Sequence, residues 1–289
     1  MIGLRSKRII SDTVIYIVLT LLVVIWLFPL VWMILKAFDV LWTGPYSPTI
    51  FPEMMGMTNF KNLFGGEGYQ NYPYGQWLLN TFFVALGSCV ISTLLTLMVS
   101  FALSRLRFKA RKKLMNIALI LGLFPGFLSI IALLYIFTEF NLDNSLFGLT
   151  LAYSLASGMG YYVVKGFFDT VPIAIDEAAR IDGATKNRIF WRMIIPLSKP
   201  IIIYTILTAF IGPWCDFILA KVLINPSAVE NFTVAIGIQQ WLATDDNVIS
   251  RKFAQFCAGG TLISVPIVLL YMIMQKFYVA GITGGAAKG

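Results

Sequence analysis

The stretch DEAARIDGATKNRIFWRMIIPL, Asp176–Leu197, gathers acids and bases in a chain that is 58% hydrophobic and 12% charged. Carboxylates and guanidinium groups on a short helical segment can pair with the charges of a partner. They do not by themselves make a nucleophile or a metal site. Histidine is absent, which removes zinc chemistry of the HExxH kind and every His-based triad. Cys89, Cys215 and Cys257 lie within or beside apolar runs, without CxxC or metal spacing, and read as small buried hydrophobes. The chain carries no GxxxxGK[ST], so it has no P-loop for a nucleotide. Asp216, two residues after Trp214, is the ionisable side chain that falls well inside an apolar run. A charge there is costly unless it faces a cavity or a partner. Neither a catalytic nor a metal site is expected. Trp214 and Asp216 are therefore candidate site residues facing a cavity, with a structural hydrogen bond as the alternative.

The elements that must position these residues are membrane helices. A soluble surface needs far more charge than 12%, and mean hydropathy is +0.80. A spanning helix needs roughly 20 mainly apolar residues. Six segments of the 289-residue chain qualify: about 13–35, 77–103, 114–138, 146–164, 200–223 and 253–279. Pro125 and Pro213 are expected to kink the third and fifth, and Pro266 lies within the sixth. The first has a basic front, a long apolar run and no A-x-A-like site, so it reads as an uncleaved helix. Net charge is +8. The basic residues sit in short loops rather than in an aromatic-lined groove, so the charge orients the chain in a bilayer and does not point to nucleic acid. The loop RLRFKARKK, Arg105–Lys113, has no acid and places itself inside the cell. With an even number of spans, both termini are then cytoplasmic.

Three regions follow. Residues 1–76 form the first span and a long outer loop rich in Gly, Pro and aromatics, expected to fold near the membrane interface. Residues 77–280 form the transmembrane core. Residues 281–289, TGGAAKG at the end, read as a short cytoplasmic tail. The charged loop, residues 169–197, lies between the fourth and fifth spans and therefore faces the cytoplasm. Acids follow Pro172 in early helical turns, Asp182-Gly183 is a turn signal, and Ile189, Phe190, Met193 and Ile194 recur at helical spacing. The loop is predicted to be helix, Gly turn, helix. From periodicity alone, an amphipathic element lying on the membrane remains open.

The string EAARIDGATKNRIFWRMIIP resembles the EAA motif of binding-protein-dependent ABC importers. Glu177, Ala178, Ala179, Gly183 and Pro196 match; Met193 and Ile195 keep the apolar character where Ile and Leu are usual. SFALSRLRF, TVAIGIQQWL and QKFYVAGITGGAAKG are similar to the membrane subunit of maltose-type carbohydrate importers. The resemblance implies an all-α membrane protein of six transmembrane helices, with the transmembrane fold of type I ABC importers, in the bacterial cell membrane. It implies a second, homologous permease subunit, an ABC ATPase homodimer carrying ATP and Mg, an extracytoplasmic sugar-binding protein and an oligosaccharide substrate. No cofactor would be bound by this chain. Glu177, Ala178, Ala179, Arg180, Asp182, Gly183 and Pro196 would couple to the ATPase, with Gly183 allowing the turn. The tail residues Gly284, Gly285 and Lys288 would reach the ATPase dimer. Gln240, Trp241, Asp245, Asp246 and Asn247 would contact the binding protein, and Trp214 and Asp216 would line the translocation path or its outer gate, with a hydrogen bond to the partner subunit as the alternative. A stand-alone secondary transporter or channel is the alternative, but it would leave the charged loop without a purpose.

Overall fold

The computed structural model describes residues 4–41, 49–65, 72–123, 125–155, 160–242 and 246–286. Expected site residues Asp245 and Lys288 lie outside the described residues. Those described are almost entirely helical. In chain order the elements are α1 (Leu4–Ala37), α2 (Thr58–Phe64), α3 (Tyr74–Arg105), α4 (Arg111–Gly122), α5 (Gly126–Glu139), α6 (Leu146–Leu155), α7 (Gly160–Thr170) and α8 (Ile173–Ile181). Then follow α9 (Lys186–Ile189), a π-helical turn (Phe190–Ile194), α10 (Ile195–Leu197), α11 (Lys199–Cys215), α12 (Ile218–Leu223), α13 (Val234–Gln240) and α14 (Asp246–Ala286). The one β pairing among the described residues is an isolated antiparallel bridge, Asp39 with Met55.

Among the described residues three helices are long and apolar enough to cross a membrane: Ser11–Ala37, Tyr74–Arg105 and Phe253–Gln275. Two bent pairs bring the possible number to five. Two of the other expected spans, the third and the fifth, are interrupted among the described residues. At Pro125 the expected kink is a full break, with α4 and α5 meeting at 103°. The missing proline N–H and the bias of the preceding residue against helix account for a stop there. The run expected at 146–164 holds α6 and the start of α7, and residues 156–159 between them lie outside the described residues. The run 200–223 is cut at Asp216, whose backbone is extended (φ −85°, ψ 129°). Pro266, by contrast, lies inside a continuous α14.

The chain divides into two compact units, residues 1–70 with 238–262, and residues 71–237 with 263–289. In the first, the end of α1 is clasped by α2. Lys36 and Asp39 form a fully buried ion pair at 2.9 Å. The Asn59 side chain donates to the carbonyls of Ala37 (3.0 Å) and Asp39 (2.9 Å), and Phe38 packs on Phe60 with ring centroids 4.9 Å apart. The segment after α1 is thus folded back onto the end of that helix.

In the second unit α3 is the hub, packed against α6, α7 and α11. Its pattern is the reverse of a soluble helix. Ser88, Ser92, Thr93, Thr96 and Ser100 are buried, whereas Phe83, Leu86, Val90, Met98 and Val99 are exposed. Small and hydroxylated residues let helices approach closely, and outward apolar side chains are what lipid favours. The Ser100 hydroxyl donates across the interface to the Tyr161 carbonyl at 2.9 Å.

Candidate functional site

The charged loop begins at the end of α7 and is shaped by local rules. Helix α8 ends in a Schellman motif. The Ala184 N–H donates to the Ala179 carbonyl (2.9 Å) and the Gly183 N–H to the Arg180 carbonyl (3.0 Å). Gly183 takes φ +77°, a left-handed conformation that side chains with a Cβ disfavour. A Cβ there would meet nothing within 4 Å, so the requirement is conformational and not steric. The next helix starts at once: the Thr185 side chain accepts from the Arg188 N–H at 3.3 Å as N-cap. The predicted helix, Gly turn, helix is present, with a π-helical turn at Phe190–Ile194 that had no signal in the sequence.

The loop has an inner and an outer face. Ala179, Ile189, Phe190 and Ile194 are buried in one cluster with Leu97 and Phe101 of α3 and Val164 and Phe168 of α7. Phe101 and Phe190 have ring centroids 4.9 Å apart. On the outer face Glu177, Ala178, Arg180, Asp182, Gly183 and Pro196 are exposed. Ile181, at the tip, is 87% exposed. Of the EAA residues, Ala179 is buried in the chain's own interior, and Met193 and Ile195 pack half-buried against the same cluster. An exposed apolar tip ringed by charges of both signs is suited to insertion into a cleft on another protein.

Two residues that no local pattern singles out fix this loop to α3. Arg105 is the last residue of α3, and its Nη2 donates to the carbonyls of Phe168 (2.6 Å) and Val171 (2.7 Å) at the end of α7. Its Nε lies 3.6 Å from Oδ2 of Asp176 in the first turn of α8, with both side chains buried. A cation is thus held between the carbonyl end of one helix and the first-turn carboxylate of the next, where helix dipoles favour each charge. Beside it, the Ser104 hydroxyl donates to Asp169 Oδ1 at 2.6 Å, and Lys165 Nζ meets Asp169 Oδ2 at 2.6 Å. Burial raises the pKa of Asp169, but the hydrogen bonds from Lys165 and Ser104 and the charges of Lys165 and Arg111 outweigh it and hold the carboxyl below its ordinary value.

A second place of interest surrounds Asp216. Its Oδ2 accepts from the Tyr153 hydroxyl (2.8 Å) and from the backbone N–H groups of Leu219 (3.1 Å) and Ala220 (3.3 Å). The carboxylate thus caps α12. It also opens, with Tyr153, Tyr161, Gly122, Gly126 and Gly212, on a cavity of about 720 Å³. Trp214 does not line this cavity; it is buried, with Phe210 6.1 Å away by ring centroid. The remaining expected site residues are dispersed. Gln240 ends α13 and is half-buried, Trp241 is buried, and Asp246 and Asn247 open α14. Gly284 and Gly285 lie in the last turns of α14, where the sequence reads as a frayed tail.

Long apolar helices meeting through small residues, with a charged loop turned outward at one end, define a helical membrane component. Residues 92–284 match the family described as the binding-protein-dependent transport system inner membrane component, and the chain belongs to that family. It is 32% identical over 287 residues to the galactooligosaccharides transport system permease protein GanQ of Bacillus subtilis, covering 99% of each chain. It is 33% identical to the maltodextrin transport system permease protein MalD of Streptococcus pneumoniae, again over 99% of each. With the maltodextrin transport system permease protein MdxG of Bacillus subtilis, identity is 34% over 98% of this chain and 99% of the relative. Its fold is that of a chain in the crystal structure of a bacterial ABC transporter importing the acidic polysaccharide alginate, with TM-score 0.78 and 18% identity over 96% of this chain and 99% of that one. A crystal structure of the bacterial alginate ABC transporter in complex with an alginate pentasaccharide-bound periplasmic protein matches with TM-score 0.66 and 15% identity over 93% and 94%.

Proposed function

We propose that this chain is one membrane half of an ATP-driven importer for maltodextrin or a related oligosaccharide. It spans the bilayer six times with both termini in the cytoplasm, and pairs with a second, homologous permease subunit. An extracytoplasmic sugar-binding protein delivers the substrate. A homodimeric ABC ATPase, holding ATP and Mg, supplies the energy. The observation that carries this reading is the outward face of the loop: Glu177, Ala178, Arg180, Asp182 and a bare Ile181 on a helix whose other face is locked into the chain's own apolar cluster. Such an element can move as a rigid body with whatever grips it. Closure of the ATPase dimer on ATP would then carry the loop, and packed helices would rock between inward- and outward-open states.

Gly284, Gly285 and Lys288 would add a second ATPase contact. Gln240, Trp241, Asp245, Asp246 and Asn247 belong to the region facing the binding protein. The cavity beside Asp216 supports a place for that residue on the sugar path, since Tyr153 and the carboxylate offer hydrogen-bonding groups there. The test is co-purification and uptake with the Glu177→Lys variant. Loss of the ATPase from the complex together with loss of oligosaccharide uptake is expected. Retention of both would refute the docking role of the loop.

A further inference from the structure

We infer that Arg105 and Asp176 act as a positioning clasp that makes α3 the member to which loop motion is delivered. The inference rests on the coupling role proposed above for the outer face of the loop. It concerns side chains that the outer face does not include.

The apolar cluster alone ties the loop to α3 through Leu97 and Phe101. Contacts of that kind are non-directional and allow sliding. The clasp is directional. One guanidinium bonds two carbonyls at the end of α7 and faces the first-turn carboxylate of α8. It therefore fixes the turn between α7 and α8 to the last residue of α3. Helix α3 is in turn the hub of its unit, packed on α6, α7 and α11. A displacement of α8 must then carry the end of α3, and with it the helices that surround the α3 hub. Without the clasp the loop stays folded on its cluster and still docks, but its motion dissipates at the α7–α8 turn.

The experiment uses the complete complex in proteoliposomes, with variants Asp176→Asn, Arg105→Gln, the double variant and Arg105→Lys. Co-purification with the ATPase is expected to be unchanged, and ATP hydrolysis to continue. Oligosaccharide carried per ATP should fall about tenfold in each single variant, within the usual range of coupling between sites. The double variant should be no worse than either single one, because both remove the same link. Arg105→Lys should retain part of the coupling, since an ammonium keeps the charge but cannot span two carbonyls and a carboxylate together. Unchanged transport per ATP, additive losses, or loss of ATPase binding would each overturn the clasp. The Glu177→Lys variant separates the two readings. If it still assembles, the docking role fails; if it does not, while the Asp176 and Arg105 variants stay coupled, the clasp alone fails.

Discussion

Ala178 and Ala179 are neighbours in sequence and opposites in environment: Ala178 is exposed, whereas Ala179 is 2% exposed within the cluster of Leu97, Phe101, Phe168 and Phe190. The pair that reads as one small face is split between two partners, the protein's own core and the solvent side of the loop. Each methyl group is small for a different reason, and substitutions should separate the two.

Ala179→Leu inserts three carbons into a packed site beside Phe168 and should destabilise the folded chain by about 1–3 kcal/mol. Ala178→Leu adds the same volume outside and should leave stability unchanged within about 0.5 kcal/mol. Thermal unfolding in detergent checks the first pair of outcomes, and ATPase pull-down the second. Ala178→Leu should lose the ATPase despite its intact fold. Equal thermal losses in both variants would contradict the assignment of faces.

Gly183 makes a sharper case, because nothing crowds it. With φ +77° and open space around it, Gly183→Ala should cost about 1–2 kcal/mol through backbone conformation alone. Gly183→Asn should cost less, since Asn tolerates the left-handed region several-fold better than most residues. The order Gly, Asn, Ala in unfolding temperature is the expected result. Asn and Ala falling together would mean that crowding, and not φ, sets the requirement.

Much of this was legible before any coordinates. Apolar runs locate the long helices α1, α3 and α14, because lipid imposes length and composition on a span. The loop's helix, turn and helix follow from Pro172, Asp182-Gly183 and the spacing of Ile189, Phe190 and Ile194, all short-range signals. Arg105 was hidden for a physical reason. A basic residue ahead of RFKARKK looks like part of the orienting charge, and only its distant partners at 168, 171 and 176 reveal a buried role. Asp176 likewise reads as one more residue of a polar face. The π-helical turn and the break at Asp216 leave no mark in the apolar periodicity, since apolar residues continue on both sides of each. Asp216 itself was visible as an anomaly, but its task of capping α12 requires knowing that a helix begins there.

Asp169 gives a pH dependence with a definite sign. Its pKa is lowered in the folded chain, so it binds a proton less readily folded than unfolded, and it contributes stability at pH above its unfolded value of about 3.9. That contribution should be lost as pH falls below about 4 through the depressed folded value. The unfolding temperature of the purified complex, followed from pH 7 to pH 3, checks it against Asp169→Asn. The difference between the two proteins should be constant at neutral pH and shrink on acidification. Added salt should shrink it as well, since Lys165 and Asp169 pair near the surface. A difference that grows on acidification would reverse the assignment.

At the opposite end of α3, Gly237 is required by contact and not by conformation. A Cβ at this position would lie 2.0 Å from Cε3 of Trp77, whose ring is fully buried. That ring cannot simply swing aside. Its Nε1 donates to the Val229 carbonyl at 2.8 Å, Asn80 donates to the carbonyls of Glu230 (2.6 Å) and Phe232 (3.0 Å), and the Thr81 hydroxyl accepts from the Val234 N–H at 2.8 Å. Gly237→Ala should therefore disrupt the seating of residues 229–237 on α3, with a loss of about 1–3 kcal/mol from overpacking. Trp77→Phe combined with Gly237→Ala should recover part of that loss, because the single ring lacks the fused-ring atoms Cε3 and Cζ3 while keeping Cδ2. Labelling of an Ala228→Cys variant, at a position buried in the seated segment, with a maleimide on a cysteine-free background reads the seating directly. Gly237→Ala should raise labelling and the double variant should lower it again. No change in either would show that Trp77 relaxes freely and that the close approach of Gly237 carries no constraint.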